Sequence, residues 1–185
     1  MKLGFGTHKT IVLVGMMGVG KTSVGRRLAK RMNLSFSDTD HEVEKAAGCT
    51  ISDIYEFYGE QAFRDTEKRV MKRILKETPH VISTGVGTFS DPETRQLIKE
   101  DATSVWLYAD LKAILPRITP RSHRPQLLQD DSDTKKTLET LIEQYYPIYE
   151  EADLQVNCMH KDTNDTVEAI IQALDEYYGK LRNSA

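Results

Sequence analysis

Short apolar runs alternate with longer amphipathic segments along most of the 185-residue chain. The runs have the length and β-branched content of strands, whereas the segments repeat their apolar positions with the period of a helix. Strands are predicted at 10–14, 34–37, 80–83, 103–108 and 152–156. Helices are predicted at 23–32, 40–47, 52–58, 60–75, from 91 onward, and at 110–118, 134–149 and 163–181. This alternation predicts an α/β fold, a parallel sheet with helices on both faces.

Residues 15–22, with the sequence GMMGVGKT, lie between the first predicted strand and the first predicted helix. They match G-x-x-x-x-G-K-[ST], whose glycines let backbone N–H groups turn toward phosphate oxygens at a helix N-terminus. In this motif Lys21 reaches the β- and γ-phosphates and the Thr22 hydroxyl binds Mg²⁺. A glycine-rich turn before an ordinary helix is the alternative, which the strand–loop–helix order disfavours. We therefore predict nucleotide phosphate binding by Gly18, Val19, Gly20, Lys21, Thr22 and Ser23.

Composition narrows the classes of partner. The net charge is −3 and the sequence pI is about 6.0, so no basic excess indicates a nucleic-acid partner. No apolar run approaches the roughly 20 residues of a membrane span, and we expect no secretory signal at the N-terminus. The two cysteines, Cys49 and Cys158, suit a reducing compartment and predict neither a disulfide framework nor a metal site. We expect one cytoplasmic domain over residues 1–185, a monomer without nucleic-acid or membrane partners.

Polar and glycine residues follow the second and third predicted strands, where ligands bind in open parallel sheets. Asp38 and Asp40 are spaced so that one carboxylate could help to hold Mg²⁺ through water and the other could accept a hydroxyl proton. Alternatively, Asp40 is only the N-cap of the next helix. Gly85-Val86-Gly87 allows a ligand to approach the backbone closely, although a simple turn would have the same sequence.

Arginines supply the remaining candidate groups. The segment 117–124, RITPRSHR, contains three arginines, and as a mobile loop it could close over the nucleotide phosphates. The alternative is a solvated loop. Arg64 lies in a predicted helix, where it could equally be an ordinary surface charge.

In order and spacing, several motifs together are specific to one family. In this chain these motifs are GMMGVGKTSVGRRLA, F-S-D-T-D ending at Asp40 and F-R-D-T-E around Arg64. Further along they are S-T-G-V-G at 83–87, H-R-P-Q-L-L, and P-I-Y-E-E-A-D at 147–153. The chain resembles the shikimate kinase family, small P-loop kinases of the nucleoside-monophosphate-kinase-like group. This resemblance covers residues from about 10 to the last helix.

The resemblance implies a three-layer α-β-α P-loop NTPase fold with a five-stranded parallel sheet. It also implies a mobile lid at about 117–133 and a substrate-binding helical region at about 40–70. The implied reaction transfers the γ-phosphoryl group of ATP to the 3-hydroxyl of shikimate, with Mg²⁺ as the metal.

By position in the family motifs, Asp38 would organise Mg²⁺ and Asp40 would bind and polarise the attacking hydroxyl. Arg64 would pair with the shikimate carboxylate, while Arg124 would reach the phosphates from the lid. Arg117 would lie against the adenine, and residues 160–165 would form the far wall of the adenine pocket.

The chain departs from the family pattern twice, both times among the implied acceptor residues. Val86 replaces the middle of three glycines, and the resemblance places its side chain where the backbone should touch the substrate. Tyr145 replaces an arginine that would share the carboxylate with Arg64. Two alternatives follow: a kinase acting on another small hydroxy acid or polyol, and a non-catalytic nucleotide-binding paralogue. The predicted acceptor residues are Asp40, Arg64, Gly85, Val86, Gly87 and Tyr145.

Overall fold

A computed structural model of the protein describes residues 9–118, 131–159 and 162–183. Its five strands form one sheet in the order β2-β3-β1-β4-β5, and every neighbouring pair is parallel. Helices flank the sheet, so the predicted three-layer α/β fold is confirmed. The strands are β1 (Thr10–Val14), β2 (Ser35–Asp38), β3 (His80–Ser83), β4 (Ala102–Tyr108) and β5 (Leu154–Asn157).

Seven α-helices lie in the described part of the chain. Helices α1 and α7 pack together, and so do α2 and α3. Two 3₁₀ turns, Thr88–Ser90 and Leu115–Arg117, lie before α4 and after α5 respectively. The helices are α1 (Lys21–Met32), α2 (Thr39–Ala47), α3 (Ile51–Ile74), α4 (Pro92–Asp101), α5 (Leu111–Ile114), α6 (Asp131–Tyr149) and α7 (Thr163–Asn183).

Strand β1 is the centre of the core. All five of its residues are buried, and it pairs with β3 on one side and β4 on the other. A strand covered on both faces needs apolar side chains at successive positions, which explains its continuous apolar run. The sequence-based prediction of a buried parallel strand at this position is confirmed.

Gly59 and Pro116 disturb helices, as their chemistry predicts. Gly59 lies within α3 with φ 80° and ψ 174°, so the axis is kinked where the sequence predicted a break. The predicted helix at 110–118 is wrong in extent, since only Leu111–Ile114 is α-helical. Pro116 lies in the 3₁₀ turn that follows, because proline has no N–H to continue the α-helical ladder.

Other boundaries shift by a few residues. Helix α6 begins at Asp131, three residues before the predicted start at 134. The last strand is Leu154–Asn157 rather than 152–156. Of the predicted lid at 117–133, residues 119–130 lie outside the described residues, and 131–133 belong to α6. Across the described ranges, no helix is long and apolar enough to cross a membrane, and Cys49 and Cys158 form no disulfide.

A pair of helical glycines tests the packing of α1 on the sheet. A Cβ added at Gly25 would lie 2.6 Å from Phe36 Cε2 and 3.3 Å from Leu13 Cδ1, whereas one added at Gly179 meets nothing within 4 Å. Alanine should gain about 1 kcal/mol of helix propensity at either site, but overpacking at Gly25 should cost about 1–3 kcal/mol. We expect Gly25→Ala to be less stable than Gly179→Ala by about 1–3 kcal/mol in urea unfolding. Equal stability would show that α1 does not pack this closely.

Candidate active site

The loop between β1 and α1 has the backbone of a phosphate-binding nest. Gly15, Gly18 and Gly20 have φ of 144°, 78° and 98°, values that side-chain-bearing residues rarely adopt. A Cβ at Gly15 would also lie 2.8 Å from the Leu107 carbonyl oxygen. Helix α1 begins at Lys21, and its N-cap Gly20 makes no side-chain capping bond. The N–H groups of its first turn are therefore available to an anion.

Lys21 is folded over this loop. Its ammonium donates to the carbonyl oxygens of Gly15, at 2.7 Å, and Met16, at 3.0 Å. The residue is 6% exposed. The structure thus places the ammonium at the phosphate-binding loop, and its reach to the β- and γ-phosphates stays a prediction.

Three oxygen atoms of the kind that ligate hard cations lie close together where β2 and β3 end. The Thr22 hydroxyl donates to Asp38 Oδ2 at 2.7 Å and lies 3.4 Å from Ser83 Oγ. Hydroxyl and carboxylate oxygens suit Mg²⁺, which takes one or two protein ligands and completes its shell with water and phosphate oxygens. Such a site needs no cluster of three or more acidic, histidine or cysteine side chains, and the described residues contain none. Thr22 and Asp38 therefore fit the predicted magnesium site.

The expectation that Asp40 could cap the next helix is wrong. The N-cap of α2 is Asp38, whose Oδ1 accepts a hydrogen bond from the Asp40 N–H at 3.1 Å. Asp38 ends β2 with an extended backbone, the conformation that an N-cap requires. One carboxylate thus caps α2 and accepts from Thr22, so the Asp40 side chain does not serve as the cap.

One cavity joins the phosphate-binding loop to both carboxylates. Sequence predicted most of its lining, but it missed Met17, Ser83 and Thr84. Val19 is buried in the core, so its predicted phosphate contact can involve only its backbone. The lining residues are Met17, Gly18, Gly20, Lys21, Thr22, Ser23, Asp38, Asp40, Ser83 and Thr84.

Glycine is needed in the turn after β3 because neighbouring side chains pack close to it, and not because its backbone angles are unusual. Gly87 has φ −86°, and the described glycines with positive φ do not include Gly85. A Cβ at Gly85 would lie 3.0 Å from Glu67 Oε1 and 3.1 Å from Asp40 Oδ1. A Cβ at Gly87 would lie 2.4 Å from Arg64 Nη1. Protein side chains therefore lie close to this turn, and the predicted close approach of a ligand stays a prediction.

Val86 does not have the position that the resemblance suggested. Its side chain is 7% exposed and belongs to the hydrophobic core. Its backbone is ordinary, because Asn33 is the one non-glycine residue with positive φ in the described ranges. The expectation that Val86 presents a side chain to the acceptor is therefore wrong: position 86 faces the core and has room for a side chain.

Arg64 and Glu67 line a second cavity. Its Nη1 lies 3.2 Å from Glu67 Oε2 and its Nη2 lies 3.3 Å from Glu60 Oε1. Glu67 also accepts a 2.6 Å bond from the Thr88 hydroxyl. Burial raises the pKa of Glu67, although Thr88 and Arg64 act in the opposite direction. The cavity is lined by Gln61, Arg64, Asp65, Glu67, Lys68, Gly87, Ser90, Asp91 and Thr94.

Sequence reasoning gave Glu67 no role, although it lies within the F-R-D-T-E motif. The available signal was its spacing, because a glutamate three residues after an arginine lies on the same helical face. Thr88 carried no signal, since its hydroxyl reaches Glu67 only through the fold.

Tyr145 lies beside the glycine turn. It is 5% exposed, and its ring stacks on Tyr149 with centroids 6.0 Å apart and planes 16° apart. The Tyr149 hydroxyl donates to the Val86 carbonyl oxygen at 2.6 Å. Tyr145 is thus linked to this turn through Tyr149, and its contact with the acceptor stays a prediction.

Of the residues predicted to cover the nucleotide, only some lie within the described part of the chain. Arg117 is exposed at the end of the 3₁₀ turn after α5. Arg124 lies outside the described residues, as do residues 160–161 of the predicted adenine wall. The roles of these groups stay predictions.

Known proteins are similar to this chain in both sequence and fold. The family model for shikimate kinase matches residues 17–175. A shikimate kinase of Caulobacter vibrioides is 52% identical over 171 residues, which cover 90% of this chain and 82% of that protein. One of Paramagnetospirillum magneticum is 47% identical over 169 residues, or 91% and 86% of the two chains.

A solved structure extends the similarity to three dimensions. The shikimate kinase of Acinetobacter baumannii, in complex with shikimate, superposes with a TM-score of 0.87 at 33% identity. The match covers 92% of this chain and 94% of that one. A family match over most of the chain, relatives near half identity and the same five-stranded fold lead to one conclusion: the chain belongs to the shikimate kinase family.

Proposed function

We propose that this protein transfers the γ-phosphoryl group of ATP to the 3-hydroxyl of shikimate. The observation that carries the proposal is the cavity where the phosphate-binding loop meets Asp38 and Asp40. It combines a nucleotide phosphate site with a carboxylate suited to the acceptor hydroxyl. The relatives from Caulobacter and Paramagnetospirillum are shikimate kinases, and the Acinetobacter protein binds shikimate itself.

On the donor side, the loop amides and Lys21 bind the phosphates of ATP. Thr22 and Asp38 would hold Mg²⁺, which supplies charge neutralisation on the phosphoryl oxygens when it is bound. Arg124 adds a positive charge from the lid at about 117–133, and Arg117 lies against the adenine. Phosphoryl transfer needs positioning and charge stabilisation more than covalent chemistry, and these groups provide both.

On the acceptor side, Asp40 orients the 3-hydroxyl and accepts its proton as the phosphoryl group arrives. Arg64 binds the shikimate carboxylate from the substrate-binding region at about 40–70. Glu67 holds the Arg64 guanidinium in place, and Gly87 leaves the space that this guanidinium occupies. We further propose that the single domain acts as a cytoplasmic monomer without a nucleic-acid or membrane partner.

The proposal predicts ADP release that depends on shikimate. With Mg-ATP and shikimate, a coupled ADP-release assay should show saturable turnover, and a control without shikimate should show almost none. No turnover at millimolar shikimate would reject the proposal. Turnover on another hydroxy acid or polyol would then indicate a different acceptor, and ATP binding without any turnover would indicate a non-catalytic paralogue.

Asp40→Asn should remove the proton acceptor with little change in shape. We expect kcat to fall by about 100-fold to 10,000-fold, while the dissociation constant for Mg-ATP stays within about twofold, because the nucleotide phosphates are bound by other groups. Steady-state kinetics and calorimetric ATP titration measure the two effects. Asp175→Asn, at an exposed position of α7, is the matched control and should behave as the unmodified protein. An Asp40→Asn enzyme with unchanged kcat would exclude Asp40 as the base.

Two substitutions in the glycine turn should separate recognition from stability. Gly87→Ala places a methyl group on the Arg64 guanidinium, so KM for shikimate should rise about tenfold or more at unchanged KM for ATP. Val86→Gly should leave KM for shikimate within about twofold, and loss of its buried side chain should lower the free energy of unfolding by about 2–4 kcal/mol. The reverse pattern, with KM sensitive at 86 and insensitive at 87, would contradict the arrangement described above.

A further inference from the structure

Thr39 separates the two carboxylates of the D-T-D segment, residues 38–40, and its side chain is buried. The residue is 0% exposed, and its Oγ1 accepts a hydrogen bond from the Gly85 N–H at 2.9 Å. Its neighbours Asp38 and Asp40 both line the cavity at the phosphate-binding loop. This bond therefore joins the segment that carries both carboxylates to the glycine turn after β3.

The bond stands where the pairing of β2 with β3 ends. The last paired residues of these strands are Asp38 and Ser83. Helix α2 begins at Thr39, so the backbone there turns away from the sheet. The partly buried Gly85 N–H needs another acceptor, because an N–H buried without a partner is costly. The hydroxyl oxygen of Thr39 is that acceptor, which an apolar side chain could not provide.

Thr84 anchors the same turn to the centre of the sheet. Its N–H and its hydroxyl both donate to the Leu13 carbonyl oxygen, at 3.2 Å and 2.9 Å. Leu13 belongs to β1, the strand that leads into the phosphate-binding loop. Two consecutive residues, Thr84 and Gly85, are thus bonded to β1 on one side and to the start of α2 on the other. The D-T-D segment is held at a set distance from β1 through these bonds.

This distance matters most for Asp40. A Cβ added at Gly85 would lie 3.1 Å from Asp40 Oδ1, so the carboxylate lies directly against this glycine. A proton acceptor must be within hydrogen-bond reach of the hydroxyl it serves, and a misplacement of about 1 Å can cost about 100-fold in rate. The magnesium side depends less on the Thr39 bond, because Thr22 donates directly to Asp38.

We propose that Thr39 is a positioning residue for phosphoryl transfer. Its hydroxyl fixes the Asp40 carboxylate relative to the glycine turn, and it thereby sets how the acceptor hydroxyl meets the phosphoryl group. Thr39 acts through Gly85 and Asp40 rather than on the acceptor itself. The inference rests on the proposed shikimate kinase function. It adds a requirement: turnover needs a hydroxyl at position 39, whereas nucleotide binding does not.

The test compares two substitutions at position 39. Thr39→Val keeps the branched shape and removes the acceptor oxygen, whereas Thr39→Ser keeps the hydroxyl. In the valine variant, kcat/KM for shikimate should fall by about 10-fold to 100-fold, mainly through kcat. In the serine variant it should stay within about threefold, because the bond to Gly85 is kept. KM for Mg-ATP should stay within about twofold in both variants, because other groups bind the nucleotide phosphates.

Amide hydrogen exchange at Gly85, followed by NMR, gives a readout that does not depend on activity. Thr39→Val should speed exchange at Gly85 by about tenfold or more relative to the amide of Val12 in β1, because the N–H loses its acceptor. Thr39→Ser should keep the Gly85 amide protected. Equal exchange at Gly85 in the valine variant and the unmodified protein would overturn the assignment of this bond.

Controls separate positioning from a general loss of stability. Ile170→Val trims a fully buried side chain of α7, and Thr166→Val removes a buried hydroxyl that donates to the Asp162 carbonyl oxygen. Each should lower the melting temperature without changing kcat or either KM, because α7 contributes no group to the proposed site. A Thr39→Val variant that loses no more activity than an equally destabilised control would have only a structural role, which overturns the proposal.

The outcomes distinguish the two proposals. If the unmodified protein does not phosphorylate shikimate, the proposed function fails and this inference fails with it. If it does, an unchanged kcat in Thr39→Val overturns the positioning role alone. A Thr39→Ser variant as impaired as Thr39→Val would also overturn it, since the hydroxyl would then not be the group that matters. A rise in KM for Mg-ATP as large as the loss in kcat would show disruption of the whole site, and it too would contradict the proposal.

Discussion

The parallel pairing of β1 with β3 and of β3 with β2 is the constraint on which the site depends. It aligns the carboxyl ends of three strands at one edge of the sheet, although the strands are far apart in sequence. The hydrogen bond from Thr22 to Asp38 and the proximity of Ser83 follow directly from this alignment. Register is strongly specified where a strand face is buried, so the packing of the core also sets the alignment of the donor site.

A second constraint couples the residues proposed to act on the hydroxyl with those proposed to bind the acid group of the acceptor. The turn after β3 passes so close to Glu67, Asp40 and Arg64 that its glycines leave no room for a side chain. Glu67 lies between Arg64 and Thr88 and faces Asp40 across Gly85. A shift of this turn would therefore move the carboxylate proposed to act on the hydroxyl and the guanidinium proposed to bind the acid. Position 86 differs from the two glycines, because it has room for a side chain that faces the core.

Sequence predicted the groups that are encoded locally. Strand β1, the strand–loop–helix order that leads into α1 and the break at Gly59 each depend on neighbouring residues, and the structure confirms all three. Sequence did not identify Asp38, rather than Asp40, as the cap of α2, because the cap depends on where β2 ends. Thr88 was missed because its partner Glu67 lies on another element, whereas Glu67 was missed although its helical spacing from Arg64 was visible in the sequence. Val86 was misjudged because a motif gives a residue's position without the direction of its side chain.

The central claim is phosphoryl transfer from ATP to one particular hydroxyl of shikimate, and product identification tests it most directly. Phosphorus NMR of a reaction containing the protein, Mg-ATP and shikimate separates inorganic phosphate from a sugar-like phosphate ester and locates the ester by its proton coupling. We predict stoichiometric formation of ADP and shikimate 3-phosphate. Accumulation of inorganic phosphate alone, or of an ester at another hydroxyl, would contradict the assignment of Asp40 to the 3-hydroxyl.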